Sequence, residues 1–189
     1  SRRRHTRYIS VTGVQTCALP ICNFDFSLKK VLAHEGGFVN NPRDPGGMTN
    51  LGVTKAVWED YVKRPVDESE MRSLSPDLVA PLYRNRYWDS IRGDDLPAGI
   101  DYVVFDCAVN SGDSRASKLL QQVVGTIPDG KIGPTTLSFV ITKARADLID
   151  DYCNARIRFL QSLPTFAVFG EGWTRRVNEV RDVGKFLAK

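Results

Sequence analysis

His34-Glu35-Gly36-Gly37-Phe38-Val39-Asn40-Asn41-Pro42-Arg43-Asp44-Pro45-Gly46-Gly47-Met48-Thr49-Asn50-Leu51-Gly52-Val53-Thr54 is where the chain changes character. Upstream, Leu28, Val31 and Leu32 recur at helical spacing. Ser27 can cap that helix, and Gly36-Gly37 ends it. From Phe38 to Val53 the chain is rich in Gly, Pro and Asn, with only short apolar pieces, which predicts a small, turn-dominated β region. Thr54 then caps a new helix through about Arg64.

Downstream the pattern is helical. Asp67 and Glu70 form an N-cap and N3 pair opening a short helix. Ser75-Pro76 opens another that runs toward Trp88, with a kink or break expected at Pro81. Asp89 to Asp95 is a polar loop. Pro97 starts a helix through Val103, Val104, Cys107 and Ala108 that ends at Asn110-Ser111-Gly112. It is apolar on most faces, so it should be central and buried. Ser114 caps the next helix, which Gly125 closes. After the Asp129-Gly130 turn, Gly133-Pro134 begins another. A longer helix carries Leu148, Tyr152, Ala155 and Phe159, and the last carries Trp173, Val177 and Val180. No repeat or linker interrupts them. The expected fold is mainly α (α+β), with a small β/turn region near residues 38–53.

Composition bounds the function. The 189 residues are 42% apolar and 25% charged, with a net charge of +4 and four cysteines. No apolar run reaches about 18 residues, so no membrane span is expected. Four cysteines are too few for a disulfide scaffold. The positive charge belongs to Arg2, Arg3, Arg4 and Arg7 in the opening SRRRHTRYISVTGVQTCALPIC. Without that segment 22 bases face 22 acids, so the charge no longer argues for nucleic acid. The segment resembles translated sequencing-adapter read-through, and residues 1–22 are expected to be artefactual or disordered. Its middle is too polar for the apolar core of a signal peptide. The rest is polarised. Residues 23–113 hold 10 bases and 15 acids, and residues 114–189 hold 12 bases and 7 acids.

Glu35 is the chemical centre of the opening stretch. Leu28, Leu32 and Glu35 share one helix face. A carboxyl on an apolar stripe is partly desolvated, and in the last helical turn it meets the negative end of the dipole. Both effects favour the protonated form, as a general acid requires. Asp44, nine residues on in a Pro/Gly-rich turn, can stay ionised. Two carboxyl groups driven in opposite directions suit glycoside hydrolysis, and Thr49 supplies a hydroxyl that could hold a water. The same residues have plainer uses: a Glu before Gly-Gly ends helices, and an Asp before Pro-Gly makes Asx turns. His34 points to another helix face. Cys107 and Cys153 read as buried helical residues without metal-ligand spacing, and no nucleotide or cofactor motif is present.

The stretch from Glu35 to Thr54 resembles the signature of the glycoside hydrolase family 108 muramidases, phage and prophage endolysins. Tyr87-Trp88-Asp89-Ser90-Ile91-Arg92-Gly93-Asp94-Asp95-Leu96-Pro97-Ala98-Gly99 and Phe105-Asp106-Cys107-Ala108-Val109-Asn110-Ser111-Gly112 resemble the family's next blocks. Leu120 to Gly125 and Asp129 to Leu137 resemble the peptidoglycan-binding-type segment that follows. The resemblance implies a lysozyme-like fold. It also implies cofactor-free cleavage of the β-1,4 bond from N-acetylmuramic acid to N-acetylglucosamine, with Glu35 catalytic. The Glu35, Asp44, Thr49 spacing is similar to the Glu–Asp–Thr set of other short phage lysozymes, but one residue shorter between Asp44 and Thr49, so Asn50 could take the place of Thr49. Tyr87 and Trp88 could stack on sugars or pack the core. Asn110 could bind an N-acetyl group or merely end its helix.

The expected division is a lysozyme-like catalytic region over residues 23–113 and a peptidoglycan-binding-type helical region over residues 114–189, packed into the same domain. The expected partner is peptidoglycan, acted on by a monomer. The enzyme would be cytoplasmic until released to the periplasm or cell wall, with export depending on a holin or another partner. The competing expectation is a non-catalytic peptidoglycan-binding or secretion-activating protein, a label the family also carries.

Overall fold

The structure, a computed structural model, describes residues 20–40 and 47–189, with side chains from Asn23 onward. The N-terminal arginines, His5, Cys17 and Asp44 lie outside the described residues. Helix α1 (Pro20–Glu35) begins well before Ser27, which is buried in its interior rather than capping it. The helix therefore reaches into the stretch set apart on sequence grounds.

Strands β1 (Val39–Asn40), β2 (Met48–Asn50) and β3 (Val53–Thr54) form an antiparallel sheet in that order. Thr49 faces Val39 on one side and Thr54 on the other. Leu51 and Gly52 join β2 to β3 with φ of 50° and 73°. Positive φ at both central residues is the type I′ pattern that matches strand twist. Leu51 is a costly residue there, and the Tyr83 hydroxyl steadies the turn by donating to its carbonyl at 2.8 Å.

Helix α2 (Lys55–Val62) starts at the Thr54 cap, whose Oγ1 accepts from the Val57 N–H, and stops at Lys63 in the left-handed region. Helix α3 (Glu68–Arg72) follows Asp67, which accepts from the Glu70 N–H. The Glu70 carboxylate does not reach back to close a capping box. It takes a two-pronged contact from Arg64, at 2.8 and 2.9 Å, and a bond from Trp58 Nε1. Helix α4 (Pro76–Tyr83) contains Pro81 without breaking there, and widens beyond Tyr83 into a π-helical turn over Arg84–Trp88. The π-helical pattern begins three residues past the proline rather than at it. Asp89 to Asp95 is tighter than a loop: Gly93–Asp95 form a 3-10 turn, with Asp94 accepting from Trp88 Nε1.

Helix α5 (Ile100–Ser111) is the central element, buried from Ile100 through Ala108. It starts later than Pro97, where the Asp101 carboxylate accepts the N–H groups of Gly99 and Tyr102. Helix α6 (Asp113–Val124) begins one residue before the expected Ser114 cap and ends at a left-handed Gly125. Helices α7 (Pro134–Val140), α8 (Arg145–Gln161) and α9 (Phe166–Leu187) complete the described chain. Helices α1, α6, α8 and α9 all pack on α5. Gly184 lets α9 close onto it, since a Cβ there would lie 2.6 Å from Val103 Cγ1. Buried apolar residues on both sides of residue 113 form one continuous cluster, joining Leu28, Phe105 and Val104 to Leu120, Ile149 and Val177. The mainly α architecture with a small sheet is thus what the periodicity of the sequence implied.

Candidate active site

The last residue of α1 is Glu35, and the chain turns away at once through Gly36 with φ of 77°. Its side chain is 21% exposed. The β2–β3 turn closes one side. A Cβ on Gly52 would stand 3.0 Å from Glu35 Oε2 and 2.6 Å from the Tyr83 hydroxyl, so only glycine fits at this approach. Burial, with the Glu35 charge next, raises the Tyr83 phenol above its ordinary range, so it stays a neutral donor.

On its other side Glu35 meets Arg176 of α9. Arg176 Nη2 donates to Glu35 Oε1 at 2.9 Å. The same guanidinium grips Asp106 of α5 side-on, through Nη2 at 2.9 Å and Nε at 3.1 Å. Arg156 of α8 donates to the other Asp106 oxygen at 2.6 Å and to Asn110 Oδ1 at 3.2 Å. Two carboxyl groups and two guanidiniums therefore alternate, from Glu35 through Arg176 and Asp106 to Arg156. Burial alone would push the Asp106 carboxyl up. The two arginines outweigh it and hold it below the usual carboxylate range. Arg156 is 1% exposed and would be an uncompensated buried cation without Asp106.

The other sequence candidates separate. Asn50 is buried, and its amide donates to the Met71 carbonyl at 2.8 Å, tying the sheet to α3. Successive strand residues face opposite ways, so Thr49, half-buried, looks to the other face and Asn50 does not stand in for it. Trp88 is fully buried, with ring centroids of Phe24 and Phe105 each 5.3 Å away, and offers no face to a sugar. Its neighbour Tyr87 is half-buried and leans on Tyr83 at 5.6 Å. Asn110 is exposed at the end of α5, with its carbonyl oxygen committed to Arg156 and Ser111. His34 Nδ1 lies 4.0 Å from a carboxylate oxygen of Glu179 on α9. Among the described residues no three His, Cys, Asp or Glu side chains gather as a metal site would need.

Arg176 and Tyr83 are the site residues that sequence reasoning missed. Tyr83 carried one usable signal: it lies one helical turn before Tyr87, in the element leading to the family-like block. Arg176 carried none, because nothing distinguishes it from the other arginines of the basic half.

The arrangement is that of a mainly helical protein with a partly buried carboxyl at the end of its first helix, flanked by a small sheet and braced by a charge network that runs into the core. Residues 28–112 match the family model described as Glycosyl hydrolase 108, and residues 115–178 match the Predicted Peptidoglycan domain. The structure of Brucella abortus SagA superposes with a TM-score of 0.78 and 41% sequence identity, covering 89% of this chain and 97% of that one. The comparison with curated proteins gave no match. The chain belongs to the glycosyl hydrolase 108 family. Its work concerns peptidoglycan.

Proposed function

We propose that the chain is an N-acetylmuramidase, hydrolysing the β-1,4 bond between N-acetylmuramic acid and N-acetylglucosamine. One observation carries this: Glu35 sits at the end of α1, mostly shielded from water and fixed by Arg176, with Gly52 and Tyr83 closing its other side. Glu35 protonates the leaving glycosidic oxygen. Arg176 orients the carboxyl while the same guanidinium holds Asp106. Asp44, nine residues on in sequence, is the second carboxylate we assign, to activate water or stabilise the sugar cation, with Thr49 holding the water. The family membership and the peptidoglycan-domain match support the substrate. To reach that substrate the enzyme must be released to the periplasm or wall, and we assign that step to a partner such as a holin.

The test is clearing of outer-membrane-permeabilised cells. Glu35→Gln, which keeps the shape and an acceptor for Arg176, should lower the rate by about 10²–10⁴-fold. A second reading, wall binding without cleavage, is favoured by the ion pair itself, since a structural carboxylate would pair in the same way. Co-sedimentation of the wild type with purified peptidoglycan, without clearing, would establish that reading instead.

A further inference from the structure

The packing directions of four helices decide what stands beside Glu35. Asn23, near the start of α1, donates to Asp101 at the start of α5, so these two helices run in parallel. Helix α9 runs against both, with Gly184 on Val103, Glu179 near His34, and Arg176 on Asp106 and Glu35. Lys185 on Asp150 and Arg181 on Asn154 pair α9 with α8 in the same antiparallel sense. Helix α1 stops at Glu35, opposite Arg176. The part of α9 before Arg176 therefore overhangs the end of α1.

That overhang is aromatic. Phe169 and Trp173 precede Arg176 by seven and three residues and share its stripe of the helix. At 1.5 Å per residue their backbones lie about 10 Å and about 4.5 Å further along the axis. The two rings lean together with centroids 5.8 Å apart and planes 32° apart. Phe166 lies 6.4 Å from Trp173 between ring centroids, and its ring is so close to Gly170 that a Cβ there would clash. Phe169 is nonetheless 53% exposed. Trp173 is partly buried against the core and holds the pair in place, while Phe169 presents its outer side to water. An exposed aromatic braced in this way differs from the isolated surface apolar residues that are the rule.

We propose that Phe169 and Trp173 form a stacking platform that seats a pyranose ring of the glycan strand beside Glu35. This rests on the muramidase reading of the site and adds a sugar subsite to it. The occupant follows from position. The platform continues the stripe that ends on Glu35, and it lies within the segment matched to the peptidoglycan domain. The C–H face of a pyranose is flat and apolar, and suits such rings.

The experiment titrates full-length Glu35→Gln protein with the N-acetylglucosamine tetramer, read by amide and indole NMR shifts, with purified peptidoglycan sedimentation alongside. Trp173 Nε1–H should shift on titration. Phe169→Ala should weaken tetramer binding by about 3- to 10-fold. Trp173→Phe, which keeps an aromatic face where alanine could unsettle packing, should weaken it less. Ile127→Ala, 81% exposed and far along the chain, should change nothing. An unmoved Trp173 signal, or wild-type affinity in a folded Phe169→Ala protein, overturns the proposal. The two readings fail separately. If Glu35→Gln still clears cells while Phe169→Ala loses binding, the acid assignment falls and the platform stands. If Glu35→Gln is inactive and Phe169→Ala binds normally, the platform falls alone.

Discussion

Arg176 donates to Glu35 at 2.9 Å across 141 residues of sequence, so the last described helix completes a site that the first helix begins. The segment matched to the peptidoglycan domain supplies this arginine, and Arg156 behind it, to the carboxylates of the glycosidase segment. The two matched segments meet in one buried charge network.

Replacing Arg176 should therefore alter catalysis, not only stability. Arg176→Met removes the donor that fixes the Glu35 carboxyl, so clearing should slow by more than the loss of stability explains. Arg176→Lys keeps the charge but loses the fork, and should restore only part of the rate. Clearing rates on permeabilised cells, read beside urea melts of the same variants, decide it. A rate that falls only as far as stability does in Arg176→Met would make the contact purely structural.

Asp106→Asn should be the most damaging single change in the network. It leaves Arg156 buried without its charge partner, which costs about 3–5 kcal/mol. The Asp106 carboxyl is depressed in the fold, so its stabilisation is present above the unfolded value near 3.8 and lost as pH falls through the lower folded value. Urea denaturation should show the variant weaker at pH 7 and the gap narrowing in strong acid.

Asp101 should behave in the opposite sense. Burial pushes its carboxyl up to about 6, against the pull of the Tyr102 and Gly99 N–H groups and the Asn23 amide. A raised carboxyl binds its proton more readily in the folded chain, so this group's contribution falls as pH rises from about 4 to about 6. At about 1.4 kcal/mol per unit, the wild type should lose about 2–3 kcal/mol relative to Asp101→Asn over that window. Parallel urea melts at pH 4 and pH 7 measure the difference.

Gly52→Ala tests the closed side of the site. A methyl there meets Glu35 and the Tyr83 hydroxyl, in a backbone conformation with φ of 73°. The expected loss is about 1–3 kcal/mol of stability, with a larger fall in clearing rate than stability alone explains. A folded variant with wild-type activity would show that Glu35 needs no such wall.

Much of the fold was legible because local rules sufficed. The Thr54 and Ser75 caps and the Gly125 stop lie where the sequence put them, and the apolar α5 is buried and central as expected, though it starts three residues after Pro97. Ser27 misled because a capping residue followed by apolar residues reads the same inside a longer helix. Glu35 stood out as a candidate because its two signals, an apolar stripe and a place in the last helical turn, are both local in sequence. Trp88 was ambiguous because an aromatic face suits a sugar or a core equally, and only the packing of Phe24 and Phe105 decides. Arg176 was invisible because its partners come from α1 and α5, and only the antiparallel packing of α9 unites them.

The central claim is that Glu35 cleaves the glycan. The most direct measurement is the release of new reducing ends from purified peptidoglycan, followed by borohydride reduction and mass spectrometry of the fragments. The wild type should yield fragments ending in reduced N-acetylmuramic acid, and Glu35→Gln should yield almost none. Fragments ending in reduced N-acetylglucosamine, no new ends from the wild type, or undiminished release by Glu35→Gln would each contradict it.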